Sequence, residues 1–295
     1  MRGGRGGEEK EIVRTGEIGS HSVQLVRALA GDRADRYIPE FLLHPLERVF
    51  QTDNLTLRDL RDAFSDPYLC LRALLGHYAF CRRGKDRAEL SSLAIEALER
   101  TCDEDEFESF LEEPDAGRLW EGFLKACEES RRKPLEQLNR GVIAGLGELA
   151  QEVYRLDNVG SVAGWVLKGV LQTDRVEPQF LRIVDIRGVG PKISSLFLRD
   201  VAHVFGLEAQ IDRADRLYVQ PIDKWLRLLA PYVIDEPDVE VPADWVLAGK
   251  LAKYSRLAGV SGIRFNMGAT YFGMREVKVP EMLDQVVEAL LSPKD

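Results

Sequence analysis

The chain has 295 residues, 45% of them hydrophobic and 30% charged, too apolar for a disordered polypeptide and long enough for one large domain or two lobes on a shared core. The formal charge is −9 at pH 7, yet residues 101–130 hold 11 acids against 2 bases, and the other 265 residues balance at 38 of each. Acidity confined to one segment leaves the rest of the surface free to carry a basic face, so a nucleic-acid partner is not excluded.

Taken from the N-terminus, MRGGRGGEEKE has no apolar core segment and reads as a flexible tail over 1–18 rather than a signal peptide. Apolar residues then recur at three- and four-residue steps in HSVQLVRALA, RYIPEFLLHPLERVF and PYLCLRALLGHYAF. Thr56 with Asp59, and Asp66 with Pro67, supply helix starts. ELSSLAIEALERT continues the helical period, and the acidic 101–130 segment reads as a solvated helix-loop-helix face. PLEQLNRGVIAGLGELAQEVYRL, GSVAGWVLKGVL and PEMLDQVVEALL follow the same period, with turn chemistry near 84, 115 and 158. The one alternating, strand-like pattern is DVEVP near 238. No apolar run approaches the roughly 20 residues of a membrane helix. The expected fold is all-α, a two-lobed helical bundle. The expected divisions are an N-terminal helical lobe over 19–130, a second lobe over 131–235, and C-terminal helices over 236–295 that return onto the first.

Cys70, Cys81, Cys102 and Cys127 are separated by 11, 21 and 25 residues, with no C-x-x-C pair. His21, His44, His77 and His203 are scattered too, so neither a metal centre nor an iron–sulfur cluster is expected. Phosphate-loop, nucleophile-elbow and dinucleotide-binding fingerprints are all missing.

The informative stretch is Gln179–Val204, QFLRIVDIRGVGPKISSLFLRDVAHV. Two apolar helices flank a hairpin of Arg187, Gly188, Val189, Gly190 and Pro191. The glycines allow a turn that residues with a Cβ follow only at a cost. Pro191 suits the first helical position, where a missing N–H is harmless, and Val189 is placed to tuck between the helices. Successive N–H groups would then converge at a helix N-terminus, an anion nest suited to a DNA phosphate. Arg182, Arg187 and Arg199 are candidate contacts to the DNA backbone.

The text DIRGVGPKISSLFLRDVA followed by YVQPIDKWLRLL resembles the helix-hairpin-helix base-excision DNA glycosylases. That resemblance implies a catalytic lysine at Lys192, as in the bifunctional members, and a catalytic aspartate at Asp223 within Gln220-Pro221-Ile222-Asp223. The 31-residue interval between them is similar to the archaeal 8-oxoguanine glycosylase branch, as is GVSGIRFNMGATYFG over 259–273. The resemblance covers about residues 177–275; the N-terminal half matches by helical character alone. Each part has a plain structural alternative. Lys192 would be a solvated helix lysine or phosphate contact, Asp223 an ordinary N-cap, and FNMG small residues that let helices pack closely. Asp212 is a competing aspartate, 20 residues after Lys192, without the preceding proline.

What the resemblance implies is a base-excision enzyme that flips a damaged base, 8-oxoguanine-like by preference, into a pocket. Lys192 attacks the sugar C1′ and forms a Schiff base with lyase activity, while Asp223 stabilises positive charge on the sugar. Gln220, Trp225, Phe265 and Asn266 are candidates for the pocket, with Trp225 and Phe265 equally readable as core. The expected partner is double-stranded DNA with a damaged base, bound by a monomer in the cytoplasm, at the nucleoid, without a membrane. No cofactor is expected, and the hairpin leaves room for a monovalent cation. The alternatives are a monofunctional glycosylase for alkylated or deaminated bases, with Lys192 a spectator, and a non-catalytic helix-hairpin-helix DNA-binding module.

Overall fold

The computed structural model describes residues 19–81, 84–113, 115, 117–157, 160–234 and 242–292. Among these residues every regular element is helical, and none of the helices is long and apolar enough to cross a membrane. The tail over 1–18 and residues 238–241 of the DVEVP pattern lie outside the described residues.

Local sequence signals set the helix starts. Thr56 and Asp59 form a reciprocal cap: Thr56 Oγ1 accepts from Asp59 N at 3.2 Å, and Asp59 Oδ2 accepts from Thr56 N at 3.0 Å. Asp66 caps the helix Pro67–Ala73 by accepting from Leu69 N at 2.7 Å. The stretch holding Pro39 and Pro45 stays helical throughout, from Ala34–Tyr37 through a widened π-helical turn over Ile38–Leu43 into His44–Phe50. A proline cannot donate to the fourth carbonyl before it, and the wider turn re-registers the ladder around that gap.

The acidic segment follows its polarity. Phe107–Glu112 and Gly117–Glu129 are helices that bury Phe107, Phe110, Leu111, Leu119, Trp120 and Phe123, while Asp103–Glu106, Glu108, Glu112 and Glu113 stay exposed. Glu108 and Glu113 meet one end of the long helix Glu136–Asp157: Tyr154 Oη donates to Glu108 at 2.6 Å, and Arg155 reaches the Glu113 carbonyl. The 187–190 hairpin meets the other end, around Gly141 and Gly145. Twelve residues at 1.5 Å rise separate the two by about 18 Å along the axis. That is about twice the screening length at physiological salt, so Glu108 is largely screened from the hairpin, whereas Glu128 and Glu129 end the helix that leads into the hairpin's end of the long helix.

The apolar interior divides differently from the segments expected from sequence. One cluster runs from Ala34 to Val219 and takes in Ile263 and Met267, so residues on both sides of 130 share a single core. The second gathers Leu25, Val26, Leu29 and Ala30 with residues between Ile222 and Val287. The first helix, Ser20–Ala28, therefore belongs with the C-terminal helices, and the change of core falls at Gln220–Pro221 rather than at 235. Helical periodicity shows which face is buried but not against which partner, which is why the boundaries moved. Cys70, Cys102 and Cys127 are buried, and burial pushes the Cys70 thiol up to about 12. It packs as a small hydrophobe.

Candidate active site

The helix Glu177–Val184 leads into a hairpin and then the helix Pro191–Phe205. The buried Asp215 receives the start of the first helix, its Oδ2 accepting from Val176 N at 2.8 Å, Glu177 N at 2.9 Å and Arg175 Nε at 2.8 Å. Burial alone would raise this carboxyl, and these donors outweigh it, holding it below the usual range. Within the hairpin, Val189 is buried and its N–H donates to Ile186 O at 2.9 Å.

Gly188 has φ +92°, and a Cβ there would stand 2.6 Å from Val142 Cγ2. Gly190 has φ −95° and ψ 174°, extended backbone open to any residue. The turn therefore depends on one of its two glycines, Gly188, not on both. Among the described residues the N–H groups of Gly188, Gly190 and Lys192 have no protein acceptor. They are the donors that a nest at the start of Pro191–Phe205 would offer an anion.

Beside the hairpin lies a cavity of about 190 Å³. Pro191, Lys192 and Ser195 form one wall; Phe180 and Tyr218, with ring centroids 4.6 Å apart, form another. Gln220 and Ile222 come from the turn before Asp223, and Trp245 closes the rim with 70% of its surface exposed. Lys192 and Gln220 thus share one cavity.

Asp223 sits one residue beyond the cavity wall, partly buried, as the N-cap of Lys224–Val233. Its Oδ1 accepts from Leu226 N at 2.8 Å and its Oδ2 from Thr270 Oγ1 at 3.0 Å. Among the described residues it forms no ion pair with Lys192. The competing Asp212 is exposed, lies off the cavity, and closes a local turn by accepting from Ala214 N at 2.8 Å.

Several residues singled out from sequence sit elsewhere. Trp225 is buried, with its indole against Gly273, where a Cβ would come within 2.1 Å. Phe265 is fully buried in the second core. Both are packing residues, since neither reaches the cavity. Arg199 is no backbone contact: it is 1% exposed and held by Asp200 at 2.7 Å, Tyr37 Oη at 2.5 Å and Asn266 Oδ1 at 2.9 Å. Arg182 pairs with Glu152, and Arg187 is exposed beside Gln137.

Asn266 does not line the cavity either, but it braces it. Its Nδ2 donates to Gln220 Oε1 at 3.1 Å and to Pro221 O at 3.2 Å, while its Oδ1 faces Arg199. The chain from Arg199 through Asn266 thereby fixes the backbone that presents Gln220 and Asp223. Tyr78 Oη donates to Asp200 at 3.1 Å, completing the pairing of the buried charge. Burial raises the Tyr37 hydroxyl to about 12, so it stays protonated beside Arg199.

Sequence reasoning passed over Phe180, Tyr218 and Trp245 as parts of a pocket. Trp245 carried the one available signal, a large aromatic in the first turn of Asp244–Leu257, where polar residues prevail. No protein-family model, no curated protein and no solved structure matches this chain.

Proposed function

We propose that the protein is a base-excision DNA glycosylase with lyase activity, acting on a damaged, 8-oxoguanine-like base flipped from double-stranded DNA. The observation that carries this reading is the cavity itself. An amine, Lys192, stands at the end of the hairpin and lines a space walled by Phe180, Tyr218 and Trp245. Apolar cavities of about 150 Å³ take up benzene, so 190 Å³ open at one side accommodates a flat ring. Aromatic walls suit an unstacked base, and a backbone nest beside them suits the phosphate of the nucleotide being extruded.

In this reading the lone pair of the Lys192 amine attacks C1′ and the C1′–N bond breaks, the base leaving with the electron pair and taking a proton from the lysine nitrogen. Opening of the sugar ring gives the Schiff base. Loss of a C2′ proton then expels the 3′ phosphate, cutting the strand. Asp223 lies at the helix start next to this wall, where its carboxylate opposes the positive charge that grows on the sugar. The cap and the Thr270 hydrogen bond hold it in place, and a carboxylate keeps further acceptor capacity.

The test is base release and strand cleavage on duplexes carrying 8-oxoguanine, uracil, an alkylpurine or an abasic site. The expected result is release of one damaged base followed by cleavage. A chain that binds every duplex alike and releases no base is a non-catalytic binding module.

A further inference from the structure

The cavity has a neighbour. Leu217 walls both the cavity and a cleft of about 130 Å³ between the 213–217 segment and the helix Asp244–Leu257. Arg213, Arg216, Lys253 and Arg256 line this cleft, and no carboxylate does. Gly249 and Ala252 form its low side on the helix, and a Cβ built on Gly249 would meet nothing within 4 Å. Lys253 and Arg256 are three residues apart on one helical face, and Arg216 is anchored by donating from Nε to Ile211 O at 3.2 Å.

Several other arginines have carboxylate partners. Arg33 pairs with Glu276, Arg118 with Glu113, Arg132 with Asp86 and Arg264 with Asp35. Among the described residues, none of the four cleft cations pairs with a carboxylate. Four like charges converging without a counter-charge repel one another, and a bound polyanion relieves that repulsion.

We infer that this cleft is a second phosphodiester-binding site, which holds the backbone of the DNA strand beside the cavity. Leu217 belongs to both linings, so the four cations lie directly beside the cavity that Pro191 and Lys192 line. A strand gripped at both ends across the cavity mouth presents the nucleotide between the grips for extrusion. This inference rests on the DNA reading above and specifies where the strand runs.

The test is the salt dependence of binding to a duplex carrying a tetrahydrofuran abasic analogue, read by fluorescence anisotropy on the full chain. Arg213→Gln/Lys253→Gln removes two exposed cations. Each lost phosphate contact lowers the slope of log affinity against log salt by ~0.9, so the slope should fall by about 1.8 and binding should weaken at least roughly tenfold at 0.1 M salt. Arg58→Gln/Lys125→Gln makes the same charge change elsewhere and should leave the slope unchanged. If the parent binds and both double variants keep its slope, the cleft is not a phosphate site, while the DNA reading stands. If both lower the slope equally, the effect is net charge alone and the cleft assignment is overturned. If the parent binds no duplex, both readings fall together.

Discussion

Asp223 has a structural job and a proposed chemical one, and two substitutions separate them. Asp223→Ala strips the N-cap from Lys224–Val233 and leaves Leu226 N–H and Thr270 Oγ1 without their acceptor. Loss of a cap costs about 1 kcal/mol, and loss of a hydrogen bond to a charged group costs about 1.5–3 kcal/mol. The variant should therefore be about 2–4 kcal/mol less stable in urea unfolding followed by far-ultraviolet circular dichroism. Asp223→Asn keeps an acceptor for Leu226 N and an amide that the Thr270 hydroxyl can turn to meet, so its cost should stay below about 1 kcal/mol. Its loss is the negative charge. Single-turnover base release should then slow by about 10²–10³, the size seen when one preorganised electrostatic group is removed. Duplex binding should barely change. An alanine variant that unfolds at the parental midpoint refutes the capping argument. An asparagine variant that releases base at the parental rate refutes the electrostatic one, and Asp212→Asn becomes the next variant to assay.

Two further expectations follow from the interior. Gly188→Ala places a Cβ in left-handed backbone against Val142 and should cost about 2–4 kcal/mol in urea unfolding, combining backbone strain with overpacking; it should also weaken duplex binding for all sequences alike, and a variant matching the parent in both would mean that the turn tolerates any residue. Burial first, and then neighbouring arginines, lower His77 to about 3 and His203 to about 4, so both are neutral in the folded state. An unfolded histidine takes up a proton below pH ~6.5, so stability is full above that pH and declines toward pH 4 by about 1.4 kcal/mol per pH unit for each histidine. His203→Leu should flatten that slope by one such increment in urea titrations from pH 6.5 to 4.5, and an unaltered slope contradicts the assignment.

Signals confined to a few neighbouring residues were legible in the sequence. Thr56 with Asp59, and Asp66 with Pro67, act within one helical turn, and the structure realises both caps. The all-helical class followed from apolar periodicity for the same reason. Placement against distant partners was not legible. Arg199 reads as a surface charge because the groups that make its burial tolerable, Tyr37 and Asn266, lie 162 and 67 residues away. The joining of Ser20–Ala28 to the C-terminal helices depends on packing faces that periodicity leaves unassigned. The hairpin turn was legible because its geometry is local, while Lys192 entered through the family resemblance and the structure shows only that it lines the cavity. The aromatic walls of the cavity come from three separate segments, and nothing in any one of them pointed to the others.

The most direct test of the account is borohydride trapping on an 8-oxoguanine duplex, comparing the parent chain with Lys192→Gln. Lys192 lines the cavity, and in the proposed function its amine forms the Schiff base. The parent should yield a covalent protein–DNA adduct that denaturing electrophoresis resolves, with strand cleavage in the absence of borohydride. Lys192→Gln should bind the duplex and give neither adduct nor cleavage. A parent that traps no lesion duplex, or a Lys192→Gln chain that traps as well as the parent, contradicts the claim that this lysine is the nucleophile.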